Sequence, residues 1–147
     1  MKFHSAFEEI VDNLGFLDDW EDRYRYIIEL GQSLAPLADI ERNSVNKVSG
    51  CASQVWLVTE PKAERGQINL CFRGDSDAMI VKGLVAILIA LYSNRPASEI
   101  VRTDAILTLD ELGLREHLST QRSNGLVAMV SRIRAEAHAQ LDATVSS

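Results

Sequence analysis

The 147 residues are 46% hydrophobic and 24% charged, enough apolar matter for one compact domain with a core. Fifteen Lys and Arg against twenty-one Asp and Glu leave a net charge of −6, which argues against nucleic-acid phosphates and anionic membranes as partners. The longest apolar stretch, Gly83 to Tyr92, is too short to cross a bilayer, and Met1-Lys2-Phe3-His4 opens no apolar secretion signal, so the expected location is the cytoplasm.

Ser5 to Asn13 reads as a first helix, with Gly15 in the stop position just past its end. Asp19 opens a second helix, because its carboxylate can accept from orphan amides while Glu21 and Asp22 favour the positive helix end. Trp20, Tyr24, Ile27, Ile28, Gly31 and Leu34 form its apolar stripe, opposite Glu21, Arg25 and Glu29, and Pro36 closes it. The period then changes. Gln54 to Thr59 and Ile68 to Arg73 are rich in β-branched and aromatic residues and are separated by a polar segment holding Pro61 and Gly66, which predicts an antiparallel hairpin. Ile68, Leu70 and Phe72 share one face of the second strand, and Asn69, Cys71 and Arg73 the other; Val45 to Val48 is the candidate third strand.

The short oxygen-bearing side chains of Gly74-Asp75-Ser76-Asp77 suit the N-cap of a helix from about Ala78 to Tyr92. That helix is apolar nearly all round and belongs at the centre of the core, with Lys82 snorkelling its amine to the surface. Pro96 follows, then a short helix around Ala97 to Val101 and a connector carrying Leu109, Leu112 and Leu114. Ser123-Asn124-Gly125 opens a last helix with Leu126, Met129, Val130, Ile133, Ala137 and Leu141 facing inward, and Ala143 to Ser147 reads as a frayed tail. The expected fold is α+β, a small antiparallel sheet of about three strands packed against helices, with no domain boundary within residues 1–147.

Two cysteines, Cys51 and Cys71, make no disulfide framework, and with only His4, His117 and His138 beside them no metal knuckle is expected. Cys51 follows Gly50 in a turn just before a hydrophobic strand. Glycine lets the loop fold tightly over the thiol, and Ser53 and Gln54 could hydrogen-bond a thiolate or persulfide. A small buried hydrophobe fits the same position equally well. No cation adjoins Cys51 in sequence, so activation must come from elsewhere; Arg122, beside the last helix start, is the best remote candidate, against a solvated surface arginine. Asp75 and Asp77 read as caps rather than acid catalysts, and Cys71 as packing rather than a backup thiol. A Cys-His hydrolase would need His117 beside Cys51.

Asp19-Trp20-Glu21, Tyr26-Ile27-Ile28-Glu29-Leu30-Gly31, Val48-Ser49-Gly50-Cys51, Ser53-Gln54-Val55-Trp56-Leu57, Gly74-Asp75-Ser76-Asp77-Ala78, Ile80-Val81-Lys82-Gly83-Leu84 and Arg122-Ser123-Asn124-Gly125-Leu126 occur in that order. In these segments, from about Asp19 to Ile133, the chain resembles the SufE family of sulfur acceptor proteins. The resemblance implies an α+β fold shared with IscU-type scaffolds. It also implies that Cys51 receives sulfur as a persulfide from a pyridoxal-phosphate cysteine desulfurase of the SufS type, and that the protein stimulates that enzyme. The sulfur would pass to an iron-sulfur scaffold complex of the SufBCD type.

On this reading the protein is not itself an enzyme and holds no cofactor beyond the transient persulfide, since the pyridoxal phosphate belongs to the partner. Gly50, Ser53, Gln54, Asp75 and Arg122 support Cys51, and a homodimer is left open. Ala52 and Gln121 depart from the residues common in the family. The alternatives are a CsdE-like acceptor serving a CsdA-type desulfurase, or an adaptor that activates the desulfurase without carrying sulfur. A persulfide must be hidden from reductants, so Cys51 is expected to point into an apolar pocket formed by the hairpin and the central helix. Its thiol pKa would be raised by burial, and the Gly50-Cys51 loop would swing out at the partner.

Overall fold

The computed structural model describes residues 5–146; Met1–His4, the last of them a weighed histidine, and Ser147 lie outside the described residues. Helix α1 spans Ser5–Phe16 and is longer than expected, because Gly15 stays helical instead of ending it. Asp19 caps α2 (Trp20–Gln32) as its sequence position requires, accepting the Glu21 amide at 3.0 Å. Ile27 and Gly31 bury the inner face of α2 against α3 (Met79–Tyr92). The two helices meet at glycine. A Cβ on Gly83 would stand 2.2 Å from the Ile27 carbonyl oxygen, and one on Gly31 2.7 Å from the Gly83 nitrogen, so any side chain would force the backbones apart. Two residues along α3, on nearly the opposite side of the helix, Val85 lies against β2, where a Cβ on Gly74 would come within 2.7 Å of its Cγ1. α3 is therefore the middle layer, as its all-round apolar sequence predicts.

β1 (Val55–Glu64) and β2 (Gln67–Ser76) form an antiparallel hairpin, with Val55 opposite Ser76 and Glu64 opposite Gln67. Both strands run further than expected, up to a two-residue turn at Arg65-Gly66 whose positive φ angles, 51° and 80°, match the twist of the hairpin. Pro61 is accommodated inside β1 because it faces Leu70, whose carbonyl turns the other way to accept the Asn94 amide at 2.7 Å. The missing N–H of the proline thus points to the free sheet edge. The expected third strand at Val45 to Val48 is not formed; that segment touches the sheet only through a single Lys47–Trp56 bridge. β3 is Arg95–Pro96, paired antiparallel to β2, which gives the order β1-β2-β3. On β2, Leu70 and Phe72 are buried while Ile68, near the hairpin tip, is exposed.

Neither Asp75 nor Asp77 caps α3. The cap position is Ala78, whose amide donates to Ser76 Oγ at 3.2 Å, and the Asp77 carboxylate accepts the Gln54 amide at 3.0 Å. Asp75, 5% exposed, turns its carboxylate to Arg42 Nη2 at 2.8 Å and Lys82 Nζ at 3.3 Å, so Lys82 makes an ion pair rather than snorkelling to water. Burial alone would raise the Asp75 carboxyl, but hydrogen bonds from Arg42, the Ser76 amide and Lys82 outweigh it and hold the group below the ordinary carboxylate range.

After β3 come α4 (Ala97–Arg102) and α5 (Ala105–Glu111), the latter capped by Asp104 and standing where a connector was expected. α6 (Thr120–Ser146) starts three residues before the expected Ser123. Its cap is Ser119, whose Oγ accepts the Arg122 amide at 3.2 Å and whose carbonyl accepts that of Ser123 at 2.9 Å. The helix continues through most of the expected tail. Leu126, Met129, Val130, Ile133 and Ala137 are its buried stripe, packed on α3 and α4, and Leu141 is partly buried. Among the described residues no helix is long and apolar enough to cross a membrane.

A candidate thiol site between the Cys51 loop and the last helix

The chain between Val48 and Val55 is a loop pinched at its base, where the Val48 amide donates to the Val55 carbonyl at 2.8 Å. Arg132, on α6, donates to the carbonyls of Val45 at 2.7 Å and Lys47 at 3.1 Å, which anchors the segment leading into the loop. Gly50 then turns at φ +89°, a conformation that costs an L side chain about 1–2 kcal/mol. The turn lays the loop against Ala128 and directs Cys51 at the beginning of α6.

Cys51 Sγ donates to the Gly125 carbonyl at 3.6 Å, a weak bond, and the thiol is half-buried. It rests on helix surface left bare by glycine, since a Cβ on Gly125 would lie 3.7 Å from Sγ. Desolvation pushes the Cys51 thiol above its ordinary range, in the direction expected from the sequence.

A cavity of about 310 Å³ opens beside the sulfur. Val81 of α3 and Met129 of α6 are its apolar wall, and Ser53, Ser119, Gln121 and Arg122 its polar one. This departs from the expected pocket in two ways. The hairpin strands contribute no lining residue, because their inner face is already filled by α3, and the first turn of α6 makes the wall substantially polar.

Of the residues singled out in the sequence, Ser53 and Arg122 line the cavity with Cys51, and Gly50 shapes the loop. Gln54 and Asp75 do not line it. The Gln54 carbonyl accepts Ser76 Oγ at 2.8 Å and the Asp77 amide at 3.2 Å, which fixes the far end of the loop, while Asp75 is held by Arg42 and Lys82. Ser119, Val81, Met129 and Gly125 were not anticipated as site residues. The signal for Ser119 was present, a serine at a helix N-cap position, but Ser123 offered a competing start four residues later.

His117 stacks on Trp20 with ring centroids 3.7 Å apart, its carbonyl accepts the Tyr24 hydroxyl, and it lines no part of the cavity. The Cys51–His117 arrangement that a hydrolase would need is therefore not formed. Cys71 lies on β2 with Sγ 4.0 Å from Asn94 Oδ1, also outside the cavity lining. Among the described residues no group of three or more His, Cys, Asp or Glu is placed to hold a metal ion.

A family model described as SufE, the Fe-S metabolism associated domain, matches residues 8–137. An uncharacterized SufE-like protein of Rhizobium meliloti is 52% identical over 139 residues, covering 95% of this chain and 99% of its own. Another, from Rhizobium etli, is 56% identical over 135 residues, with 92% and 91% covered. The solution structure of a hypothetical protein from Thermus thermophilus superposes with a TM-score of 0.68 at 20% identity, covering 96% of this chain and 99% of that one, and so shares the fold.

Proposed function

The chain belongs to the SufE family, a domain associated with Fe-S metabolism, and from that premise we propose that it carries sulfur as a persulfide on Cys51. The donor is the persulfide of a pyridoxal-phosphate cysteine desulfurase of the SufS type, and the recipient an iron-sulfur scaffold of the SufBCD type, in the cytoplasm. The thiolate of Cys51 attacks the terminal sulfur of the donor persulfide. The donor's S–S bond breaks with its electron pair on the donor cysteine, which leaves as a thiolate, and the sulfur stays on Cys51. The protein contributes the nucleophile and its shelter; the pyridoxal chemistry is the partner's.

The observation that carries this reading is the half-buried thiol of Cys51 at the edge of a cavity walled by α3 and α6. Burial keeps the resting thiol protonated and unreactive. The sulfur is tethered only by a long bond to the Gly125 carbonyl, and Gly50 gives the loop a backbone able to turn, so a docking partner needs little free energy to draw the thiol out. Once the anion forms, Arg122 and the positive end of α6 face it across the cavity, with Ser53 as a hydrogen-bond donor.

The test is intact-protein mass spectrometry after incubation with a pyridoxal-phosphate cysteine desulfurase and cysteine. Wild type and Cys71→Ser should gain one reducible sulfur atom, and Cys51→Ser none. Absence of the increment on wild type that nevertheless stimulates the desulfurase would replace the carrier by an adaptor.

A further inference from the structure

The cavity beside Cys51 is larger than a single added sulfur requires. One sulfur atom takes roughly the room of a water molecule, ~30 Å³, whereas the cavity measures about 310 Å³. That is at the small end of the ~300–1,000 Å³ range of sites for small molecules. Its electrostatics have one sign. Among the described residues Arg122 is the only charged one lining it, and its exposed guanidinium has neither an ion-pair nor a hydrogen-bond partner within the chain. The same wall carries the hydroxyl of Ser53 from the Cys51 loop, that of the cap residue Ser119, and the amide of Gln121, which with Arg122 stands in the first turn of α6, where the helix dipole favours negative charge. A sulfur and an unpaired guanidinium lining one cavity, with hydrogen-bonding groups beside them, describe a site for a small molecule carrying a carboxylate.

We propose that the cavity binds a low-molecular-weight thiol bearing a carboxylate, which takes the sulfur from Cys51 directly as a second, soluble acceptor. This rests on the persulfide reading of Cys51. The bound thiolate attacks the terminal sulfur of the Cys51 persulfide. The S–S bond breaks, its electron pair stays on Cys51 Sγ, which takes up a proton, and the small thiol leaves as a persulfide. No oxidant or reductant is consumed, because the transferred sulfur only changes partner. Arg122 fixes the carboxylate and so selects anionic acceptors over neutral or cationic ones.

The test uses the full chain, in the Cys71→Ser background, loaded with one sulfur by a pyridoxal-phosphate cysteine desulfurase and cysteine and then separated from both. It is then challenged with mercaptoacetate, mercaptoethanol or cysteamine at equal thiolate concentrations, with the remaining persulfide read by intact mass. Discharge by mercaptoacetate should saturate and exceed that by cysteamine by about twofold to fivefold, the discrimination an exposed ion pair supplies. Arg122→Gln should remove the preference. Discharge linear in every thiol, ranked by nucleophilicity alone and unchanged in Arg122→Gln, would overturn the proposal while leaving the persulfide reading standing. If the desulfurase places no sulfur on Cys51, with Cys51→Ser behaving as its parent, both fall together.

Discussion

Replacing Gly83 by alanine tests how the layers that carry the site are held together. The new methyl would sit 2.2 Å from the Ile27 carbonyl oxygen, 2.5 Å from Ile27 Cγ2 and 2.7 Å from its carbonyl carbon. Carbon and oxygen do not normally approach closer than about 3.3 Å, so α2 and α3 must part by about 1 Å. Two effects oppose each other. Alanine is the better helix former by about 1 kcal/mol, while overpacking a filled core costs about 1–3 kcal/mol, towards the upper end when the obstacle is backbone rather than a pliant side chain. The clash wins, for a net loss of about 1–2 kcal/mol, read as a lower urea midpoint at unchanged slope. Gly15→Ala is the control. Gly15 is also helical, but nothing lies within 4 Å of its Cβ position, so propensity acts alone and stability should rise by a few tenths to 1 kcal/mol. A Gly83→Ala protein as stable as wild type, or more stable as Gly15→Ala should be, would refute the close approach of the two helices.

The raised thiol of Cys51 predicts that iodoacetamide labelling of the native Cys71→Ser protein has a pH midpoint above the ordinary free-thiol value of about 8.5. The unfolded chain then loses its proton first, so stability falls as pH rises past that value; a midpoint at or below it would argue against burial. Asp75, held below the ordinary range, gives the opposite sign: its contribution is present above the unfolded carboxylate value and is lost as pH falls through the lower folded one. Asp75→Ala should cost about 1–2 kcal/mol at neutral pH, since Lys82 and Arg42 keep water-facing sides, and should flatten the acid limb of a stability–pH curve; an unchanged limb would rule the carboxylate out as its source. Gly125→Ala should stabilise α6 by about 0.5–1 kcal/mol and leave sulfur loading of Cys51 unchanged, because the cavity beside Sγ has room for the added atom; lost loading would show that the second sulfur lies on the bare helix surface instead.

What the sequence announces, it announces through local chemistry. Asp19 beside a periodic stripe can only be a cap, the apolar helix interrupted by Lys82 alone has to be the middle layer, and a glycine before Cys51 marks a turn that points the thiol inward. The losses are of another kind. β3 is two residues, one of them proline, and exists because Asn94, at φ 61°, swings the chain back so that its amide meets Leu70; no pattern of β-branched residues precedes such a pairing. Asp75 was read as a cap because its position relative to α3 was correct, but Arg42, 33 residues earlier in the chain, competes for the carboxylate and wins it with two hydrogen bonds.

Glycine is the residue whose meaning the sequence left most open, because the same absence of a side chain is forced by packing at some positions and not at others. Gly31 and Gly83 are glycine because backbone lies within 3 Å of where a Cβ would go. Gly125 is not forced in this way. Its nearest neighbour is Cys51 Sγ at 3.7 Å, an ordinary contact that an alanine methyl would tolerate, and glycine there costs the helix about 1 kcal/mol. Packing of the free thiol therefore does not account for the residue. A second sulfur on Cys51 does not require it either, since the cavity of about 310 Å³ beside Sγ has room for that atom, so Gly125, unlike Gly31 and Gly83, has no explanation in the packing around it.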